Sequence, residues 1–247
     1  MKLFRILLLL LIAALTTGCA SVGKNPQDPF EDYNRAMFSF NDKVDSVVLK
    51  PVARTYATVT PEFVQSGVGN FFGNINDVPT ALNNFLQARP TDGISDLARV
   101  LLNSTVGLAG VIDVATNAGL AKHDQDFGQT LGRWGVKPGP YVILPLIGPT
   151  TTRDALAMPV DFETDPWGRI YPVSLRNTGS ALRVVDHRAY MLGSSDLIEA
   201  AALDQYEFLR DAYLQKRQSK IYKGDNKDGA TDKPYTSDAP DKPEATQ

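Results

Sequence analysis

The residue whose chemistry is most clearly marked is Cys19, the only cysteine in the 247-residue chain. A basic start, an apolar run over 7–15 and small residues ending in Gly18 come directly before it. The apolar run is shorter than the roughly 20 apolar residues that cross a bilayer, and this order of segments is typical of a secretory signal. In lipoprotein signals the thiol at this position accepts acyl chains. We therefore predict a signal peptide over 1–18, lipidation of Cys19, and a tether over 19–27.

Lipidation of Cys19 would set how the chain meets a membrane. One acyl chain binds marginally, whereas two or more give stable anchoring, at about 0.8 kcal/mol per buried CH₂. Ala20 stands where an aspartate would favour retention at the inner membrane, so we expect a lipid anchor in the outer membrane and a domain facing the periplasm. The alternative is an ordinary signal peptide with a chance cysteine.

No constellation for catalysis accompanies this cysteine. The chain has two histidines, His123 and His187, far apart in sequence. It contains no Gly-x-Ser-x-Gly turn, no His or Cys pair at metal-ligand spacing, and no glycine-rich phosphate loop. We expect no enzyme, no metal and no cofactor, with an esterase or lipase acting on lipid as the alternative.

The charge balance also restricts the partners. The formal net charge is −3 at pH 7, and cleavage of the basic signal makes it more negative. Nucleic-acid binding needs basic patches, so we expect no nucleic-acid partner.

An uncharged stretch over 140–149 is the strongest candidate for contact with lipid. Pro145 interrupts it, which argues against a long helix and against a central strand, and favours a helical hairpin or a paired loop. It could be a buried core hairpin, a lipid-facing segment or a movable flap bent at Gly139, Pro145 and Gly148. The candidate membrane-facing or flap residues are Tyr141, Val142, Ile143, Leu144, Leu146 and Ile147.

The elements that position these residues are mainly helical, because apolar residues recur at helical spacing through most of the chain. Asp28 and Glu31 form an apparent capping box at the first helix, which we expect to end at Pro51. Residues 224–247 are polar and rich in Gly, Asp, Lys and Pro, and are predicted to be a disordered tail. Further helices are expected from 60–61, after Pro79, over 92–103, over 180–192 and over 195–222.

Short sequence blocks in order along residues 28–222 resemble the MlaA (VacJ) lipoprotein family. The resemblance is weaker over 155–180 and absent from the tail. The blocks include Asp28-Pro29-Phe30-Glu31-Asp32-Tyr33-Asn34-Arg35, Gly69-Asn70-Phe71-Phe72-Gly73-Asn74, Leu102-Asn103-Ser104-Thr105-Val106-Gly107 and, most specific, Asp126-Phe127-Gly128-Gln129-Thr130-Leu131-Gly132 followed by Trp134-Gly135.

This resemblance implies a fold and a function. It implies one mainly α, ring-shaped domain over 28–223, embedded in the membrane, with a short helical hairpin. It further implies removal of mislocalised phospholipid from the outer leaflet through an amphipathic channel, and delivery to an MlaC-like periplasmic carrier. Trimeric outer-membrane porins are the implied protein partners. A structural porin-associated lipoprotein without transport activity is the alternative.

Four residues are candidates for the channel or its gate. Phe40 and Asn41 lie in the part of the opening motif that the family associates with control of the channel. Arg176 and Arg183 lie in the region that leads into a channel-lining helix, and arginine binds phosphate through paired hydrogen bonds. The sequence departs from the family around these arginines, and ordinary surface charges are the alternative.

Overall fold

The computed structural model describes residues 28–222, which form a mainly helical single domain. The predicted signal peptide, Cys19, the tether and the predicted tail lie outside these residues. The α-helices are α1 (Glu31–Val44), α2 (Lys50–Val59), α3 (Glu62–Leu86), α4 (Pro90–Thr105), α5 (Val114–Asn117), α6 (Phe127–Arg133), α7 (Thr152–Thr164), α8 (Val173–Tyr190), α9 (Leu192–Ala201) and α10 (Gln205–Tyr222). A π-helical turn (Asp45–Leu49) joins α1 to α2, a 3₁₀ turn (Pro166–Arg169) follows α7, and the strands are β1 (Tyr141–Leu144) and β2 (Gly148–Thr151).

Two prolines do not end helices where the sequence predicted. The chain passes through the π-helical turn, and Pro51 falls in the first turn of α2, where its missing N–H is tolerated. Pro79 lies inside the 25-residue helix α3, so the separate helix expected after it is a continuation. The Asn83 side chain donates a 3.0 Å hydrogen bond to the Pro79 carbonyl at this point.

The predicted capping box at the first helix is wrong. Phe30 occupies the N-cap position of α1, with no side-chain cap. The Asp28 carboxylate is fully buried and instead accepts hydrogen bonds from Asn34 Nδ2, at 2.8 Å, and from the Tyr206 hydroxyl. The sequence pattern assigned the Asp28 carboxylate to the end of the first helix, but this carboxylate binds α10 instead.

The stretch over 140–149 forms an antiparallel β-hairpin, so the predicted helical hairpin is wrong and the paired alternative is right. β1 and β2 pair with Tyr141 opposite Thr151 and Leu144 opposite Gly148. Pro145, Leu146 and Ile147 form the three-residue loop, where proline needs no donor in a ladder. The helix predicted over 195–222 is also divided, into α9 and α10, by an extended turn at 202–204.

The packing contacts close a circuit. In order it runs α1, the π-helical turn, α2, α8, α3, α6, α10, β2, β1 and back to α1. The remaining elements lie on this circuit, with α4 against α3 and α9 against α2 and α8. Among residues 28–222, no helix combines the length and apolar character needed to cross a membrane.

Candidate functional site

The distribution of polarity in the described residues is inverted relative to a water-soluble domain. Side chains that are large and fully buried include Arg99, Gln129, Asn34 and Asn84, while the buried apolar residues are mostly alanines and a few aromatics. Large apolar side chains are exposed on every described helix of ten or more residues, and α10 exposes only two of them, Phe208 and Tyr222. In soluble proteins the charged and amide side chains are the ones most often exposed. The exposed apolar surface therefore needs an apolar environment of its own.

The pair α3 and α4 shows how the polar interior is built. These antiparallel helices meet through Asn74 with Ser104 at 3.0 Å, Asp77 with Arg99 at 3.3 Å, and Asn84 with Asp96 at 2.6 Å. The partners run in opposite order along the two helices, as antiparallel packing requires. The seam between the longest helix and its neighbour is thus held by hydrogen bonds and ion pairs.

Arg99 is a fully buried cation in this seam. Its guanidinium also donates to Asp113 at 2.8 Å, to Thr116 Oγ1 at 3.0 Å and to the Leu120 carbonyl at 2.7 Å. Burial by itself would raise the pKa of Asp113, but hydrogen bonds from Thr116, Asn103 and Arg99 outweigh it and hold that pKa to about 2. The network keeps Asp113 ionised beside Arg99.

The opposite face of α4 carries the apolar residues. Ile94, Leu97 and Leu101 recur at helical spacing and are 61%, 42% and 67% exposed. The amphipathic pattern of this helix was read correctly from sequence. Its apolar face points away from the protein, since polar residues occupy the interior.

Two asparagines on α1 hold the β-hairpin. Asn34 donates from Nδ2 to the Tyr141 carbonyl at 3.0 Å and accepts from the Ile143 N–H at 2.8 Å. Asn41 repeats the arrangement, donating to the Leu144 carbonyl at 3.0 Å and accepting from the Leu146 N–H at 2.8 Å. Residues seven apart lie on one face of a helix, so the two amides form a pair of clamps along α1.

The hairpin loop is strained at the point that Asn41 holds. Leu146 has φ of 62°, in the left-handed region that a branched side chain disfavours. Strain of this kind, of order 1–3 kcal/mol, persists where surrounding contacts impose it and is frequent in switch segments. A cleft of about 190 Å³ opens beside the clamp, lined by Phe38, Asn41, Asp42, Asp45, Ile143, Gly148, Pro149 and Leu209.

The hairpin residues singled out in the sequence divide between two environments. Tyr141 and Ile143 are buried against Tyr206, and Val142 and Leu144 are half-buried. The loop residues Leu146 and Ile147 are 71% and 56% exposed, and Phe40 on α1 is also exposed.

The two candidate arginines of α8 meet the same turn. Arg176 donates to the Gly168 carbonyl at 3.2 Å, and Arg183 pairs with Asp165 at 2.7 Å and lies over the Phe72 ring. Both are half-buried. Each arginine therefore helps to hold the 3₁₀ turn against α8, and part of each remains accessible.

The two histidines lie in different surroundings. His123 Nδ1 is 2.8 Å from Asp96 Oδ1, and this hydrogen bond raises the pKa of the imidazole despite the opposing effect of burial. His187 is exposed near the end of α8. Within the described range, no group of three or more His, Cys, Asp and Glu side chains is placed to hold a metal ion.

Sequence reasoning missed the residues that attach α10 to the rest of the domain. Arg217 pairs with both Asp126 and Asp154, and the Tyr213 hydroxyl donates to Asp154 at 2.9 Å. Asp154 is buried in this cluster together with Arg153. The contacts of Arg217 and Tyr213 join residues far apart in sequence, so no local pattern could have predicted them. For the asparagine clamps, the seven-residue spacing of Asn34 and Asn41 was the one local signal available.

Comparison with known proteins gives consistent matches along the whole described region. A family model described as MlaA lipoprotein matches residues 26–220. A solved structure described as "Structural basis for maintenance of bacterial outer membrane lipid asymmetry" matches with a TM-score of 0.70 and 33% identity, covering 78% of this chain and 98% of that one.

Curated relatives agree in sequence over similar lengths. A protein of Escherichia coli (strain K12), named "Intermembrane phospholipid transport system lipoprotein MlaA", is 36% identical over 87% of this chain and 88% of its own length. A protein of the same name from Haemophilus influenzae is 32% identical over 91% of this chain and 93% of its own. An uncharacterized protein of Rickettsia bellii is 34% identical over 83% of this chain and 79% of its own.

Proposed function

Because the chain belongs to the MlaA lipoprotein family, we propose that it removes mislocalised phospholipid from the outer leaflet of the outer membrane and passes it to a soluble periplasmic carrier. Acyl chains on Cys19 anchor it in that membrane. The curated relatives named for phospholipid transport support this assignment. Phospholipid is the cargo, and a trimeric porin and an MlaC-like carrier are the protein partners.

The inverted polarity is the observation that carries this proposal. Apolar side chains around the outside, such as those of Leu97 and Leu101, suit contact with acyl chains, and no described helix is built to cross the bilayer. A phospholipid headgroup that crosses hydrocarbon loses its water at high cost. A closed circuit of helices with polar interior faces offers the headgroup a hydrated path while the tails remain in lipid.

The orientation follows from α10. This helix carries two large exposed apolar residues, Phe208 and Tyr222, and six charged ones, in contrast to α3, which has six large exposed apolar residues and two charged ones. We assign α10 and the adjoining base of the hairpin to the periplasmic, water-facing side. A carrier protein would then meet the domain on that side.

In this proposal the β-hairpin controls passage of phospholipid along the headgroup path. Asn34 and Asn41 hold it on α1, and the strained, exposed loop at Leu146 and Ile147 forms the movable tip. Deletion of Phe40 and Asn41 removes one clamp and rotates the following part of the helix by about 200°, given 3.6 residues per turn. We expect uncontrolled flow of phospholipid to the outer leaflet from this deletion.

The arginines of α8 contribute cations for phosphate beside the path. We expect Arg176→Glu combined with Arg183→Glu to lose transport, because the change places carboxylates where phosphate would pass. The Arg183 substitution also puts a carboxylate beside Asp165, so the melting temperature must be measured in parallel. A variant that folds, reaches the membrane and transports normally excludes both residues from the path.

The decisive experiment follows phospholipid in the outer leaflet of cells that lack the protein. We expect accumulation in the null strain and its reversal by the wild-type gene. If the null strain has no more phospholipid in its outer leaflet than the wild type, the structural porin-associated lipoprotein is favoured. Lysophospholipid or free fatty acid that depends on the protein would instead favour an esterase or lipase.

A further inference from the structure

An apolar groove lies between α9 and the first turn of α10. It has a volume of about 260 Å³ and is lined by Leu197, Ile198, Ala201, Ala202 and Phe208. Leu197 is 72% exposed, and Leu203 beside the groove is fully exposed. No polar side chain lines it, so its occupant should be a hydrocarbon.

The contacts of α9 explain why this groove stays open. Lys50 of α2 pairs with Asp196 at 3.1 Å and with Glu199 at 2.7 Å, and Arg188 of α8 donates to Ser195 at 3.1 Å. The polar side of α9 thus binds the rest of the domain. Its apolar side, which includes Leu197, is left toward the groove.

The start of the described chain is fixed at the same end of α10 as this groove, on the other side of the helix. Asp28 accepts hydrogen bonds from Tyr206 and from Arg210, at 3.4 Å, in the first turns of α10. Phe208, which lines the groove, belongs to the same turns of α10, although it points about 200° away from these two residues around the helix. The N-terminal segment therefore leaves the domain at the end of α10 that carries the groove.

Chain length allows Cys19 to reach it. Cys19 and Asp28 are nine residue steps apart, which span at most about 30 Å when extended, or about 17 Å as a flexible coil. The polar C-terminal segment, in contrast, starts beyond Tyr222, about 27 Å along α10. Among the segments outside the described residues, the one at the N-terminus is both close enough and, once acylated, apolar.

We propose that the groove between α9 and α10 receives an acyl chain carried by the protein's own Cys19. This inference rests on the lipidation in the proposed function. The short tether gives the attached chain a high effective concentration at the groove, which favours it over free phospholipid. Occupancy fixes the domain relative to its anchor, so that α10 keeps a constant position at the membrane surface.

A photocrosslinking experiment tests the occupant. The photoreactive residue p-benzoylphenylalanine replaces Phe208, or in a second variant Leu197, whose exposure makes the substitution tolerable. The full-length protein is irradiated in its native membranes and digested with trypsin. Replacement of Leu101, on the outer face of α4, is the matched control.

The tryptic masses identify what was captured. Residues 189–210 form one peptide that contains both probe positions, and 19–24 form the N-terminal peptide. We expect the acylated 19–24 peptide joined to 189–210 for both groove probes, and phospholipid adducts alone for the Leu101 probe. Phospholipid or a second polypeptide on 189–210, with acylated 19–24 recovered free, overturns the groove assignment and leaves the anchor intact. An unacylated 19–24 peptide overturns both.

Discussion

At the scale of single residues, asparagine side chains act in place of a neighbouring strand. Each of Asn34 and Asn41 offers one donor and one acceptor to the hairpin backbone, as a paired strand would. Asn34 uses its second amide hydrogen for Asp28, so its donors are satisfied in the interior. These hydrogen bonds attach the hairpin to α1, in addition to the packing of Tyr141 and Ile143 against Tyr206.

The strength of the Asn41 clamp can be tested by hydrogen exchange of the Leu146 amide, which donates to Asn41. We expect Asn41→Ala to increase the hydrogen-exchange rate of the Leu146 amide, because it removes two hydrogen bonds worth about 0.5–1.5 kcal/mol each. Ser39→Ala, at an exposed position on the same helix, is the control and should leave this rate unchanged. If Leu146 exchanges equally fast in all three proteins, the hairpin is held by other contacts.

The ionisation of Asp161 should make the free energy of unfolding depend on pH. Burial raises its pKa to about 6, while the hydrogen bond from the Phe127 N–H opposes this rise. Since the pKa is higher in the folded than in the unfolded state, the stability contributed by this group is complete below about pH 4. It is lost as pH rises toward 6.

Asp161→Asn should therefore prevent the loss of stability that occurs as pH rises toward 6. The amide keeps an acceptor for the Phe127 N–H and carries no charge. At pH 7.5 we expect the free energy of unfolding to rise by about 1–2 kcal/mol after allowance for partial exposure, and at pH 4 we expect no difference. Denaturation of the detergent-solubilised protein at both pH values, with Glu163→Gln as control, gives the comparison. A gain of equal size at both pH values would exclude ionisation as its cause.

At the scale of elements, the α3–α4 pair is held from within by polar contacts and faces outward with apolar side chains. Removing one partner of a buried ion pair leaves the other uncompensated, at a cost of about 3–5 kcal/mol. Arg99→Met should lower the free energy of unfolding by up to this amount, because it leaves Asp113 without its cation and Asp77 with Lys122 alone. Arg54→Met, at an exposed pair with Asp196, should cost less than about 1 kcal/mol. Comparable losses in the two variants would mean that the seam is accessible to water.

The outer face of α4 can be tested separately for contact with hydrocarbon. A fluorophore on Cys introduced by Leu101→Cys should be quenched by lipids brominated in their acyl chains, since that face is exposed and apolar. The same fluorophore at Ser219→Cys, on the exposed polar face of α10, should be quenched little. Cys19 is excluded from labelling because it is acylated in the proposed mature protein. Equal quenching at both positions would contradict the proposed orientation.

At the scale of the whole molecule, α10 closes the circuit of contacts. It joins α6 to β2, and its Arg217 and Tyr213 meet Asp154, while Tyr206 and Arg210 meet Asp28. These contacts bring together segments from the two ends of the described chain. Loss of this helix should open the circuit.

Two truncations separate α10 from the segment that follows it. Removal of everything after Gly224 deletes a polar segment, and we expect the free energy of unfolding to stay within about 0.5 kcal/mol and transport to persist. Removal of everything after Ala202 deletes α10 as well, and should abolish cooperative unfolding and transport. A drop of several degrees in melting temperature on the shorter truncation would show that residues after 224 pack on the domain.

Local pattern was enough to identify several features. Helical periodicity predicted a mainly helical domain, and ordered sequence blocks such as 126–132 indicated the family, which the comparisons confirm. Pro145 within an uncharged stretch correctly argued against a long helix. These properties depend on neighbours in sequence, so sequence reports them directly.

The tertiary structure alone decided what each face meets. Periodicity showed that α4 has an apolar stripe through Ile94, Leu97 and Leu101, but the same stripe serves a buried core or a lipid-facing surface, because only the surrounding medium differs. Asp28, assigned to a helix cap, is bound 178 residues away by Tyr206, and no local rule weighs such a partner against a neighbouring N–H. The polar interior arises from contacts of this kind, between residues that meet only when the chain has folded.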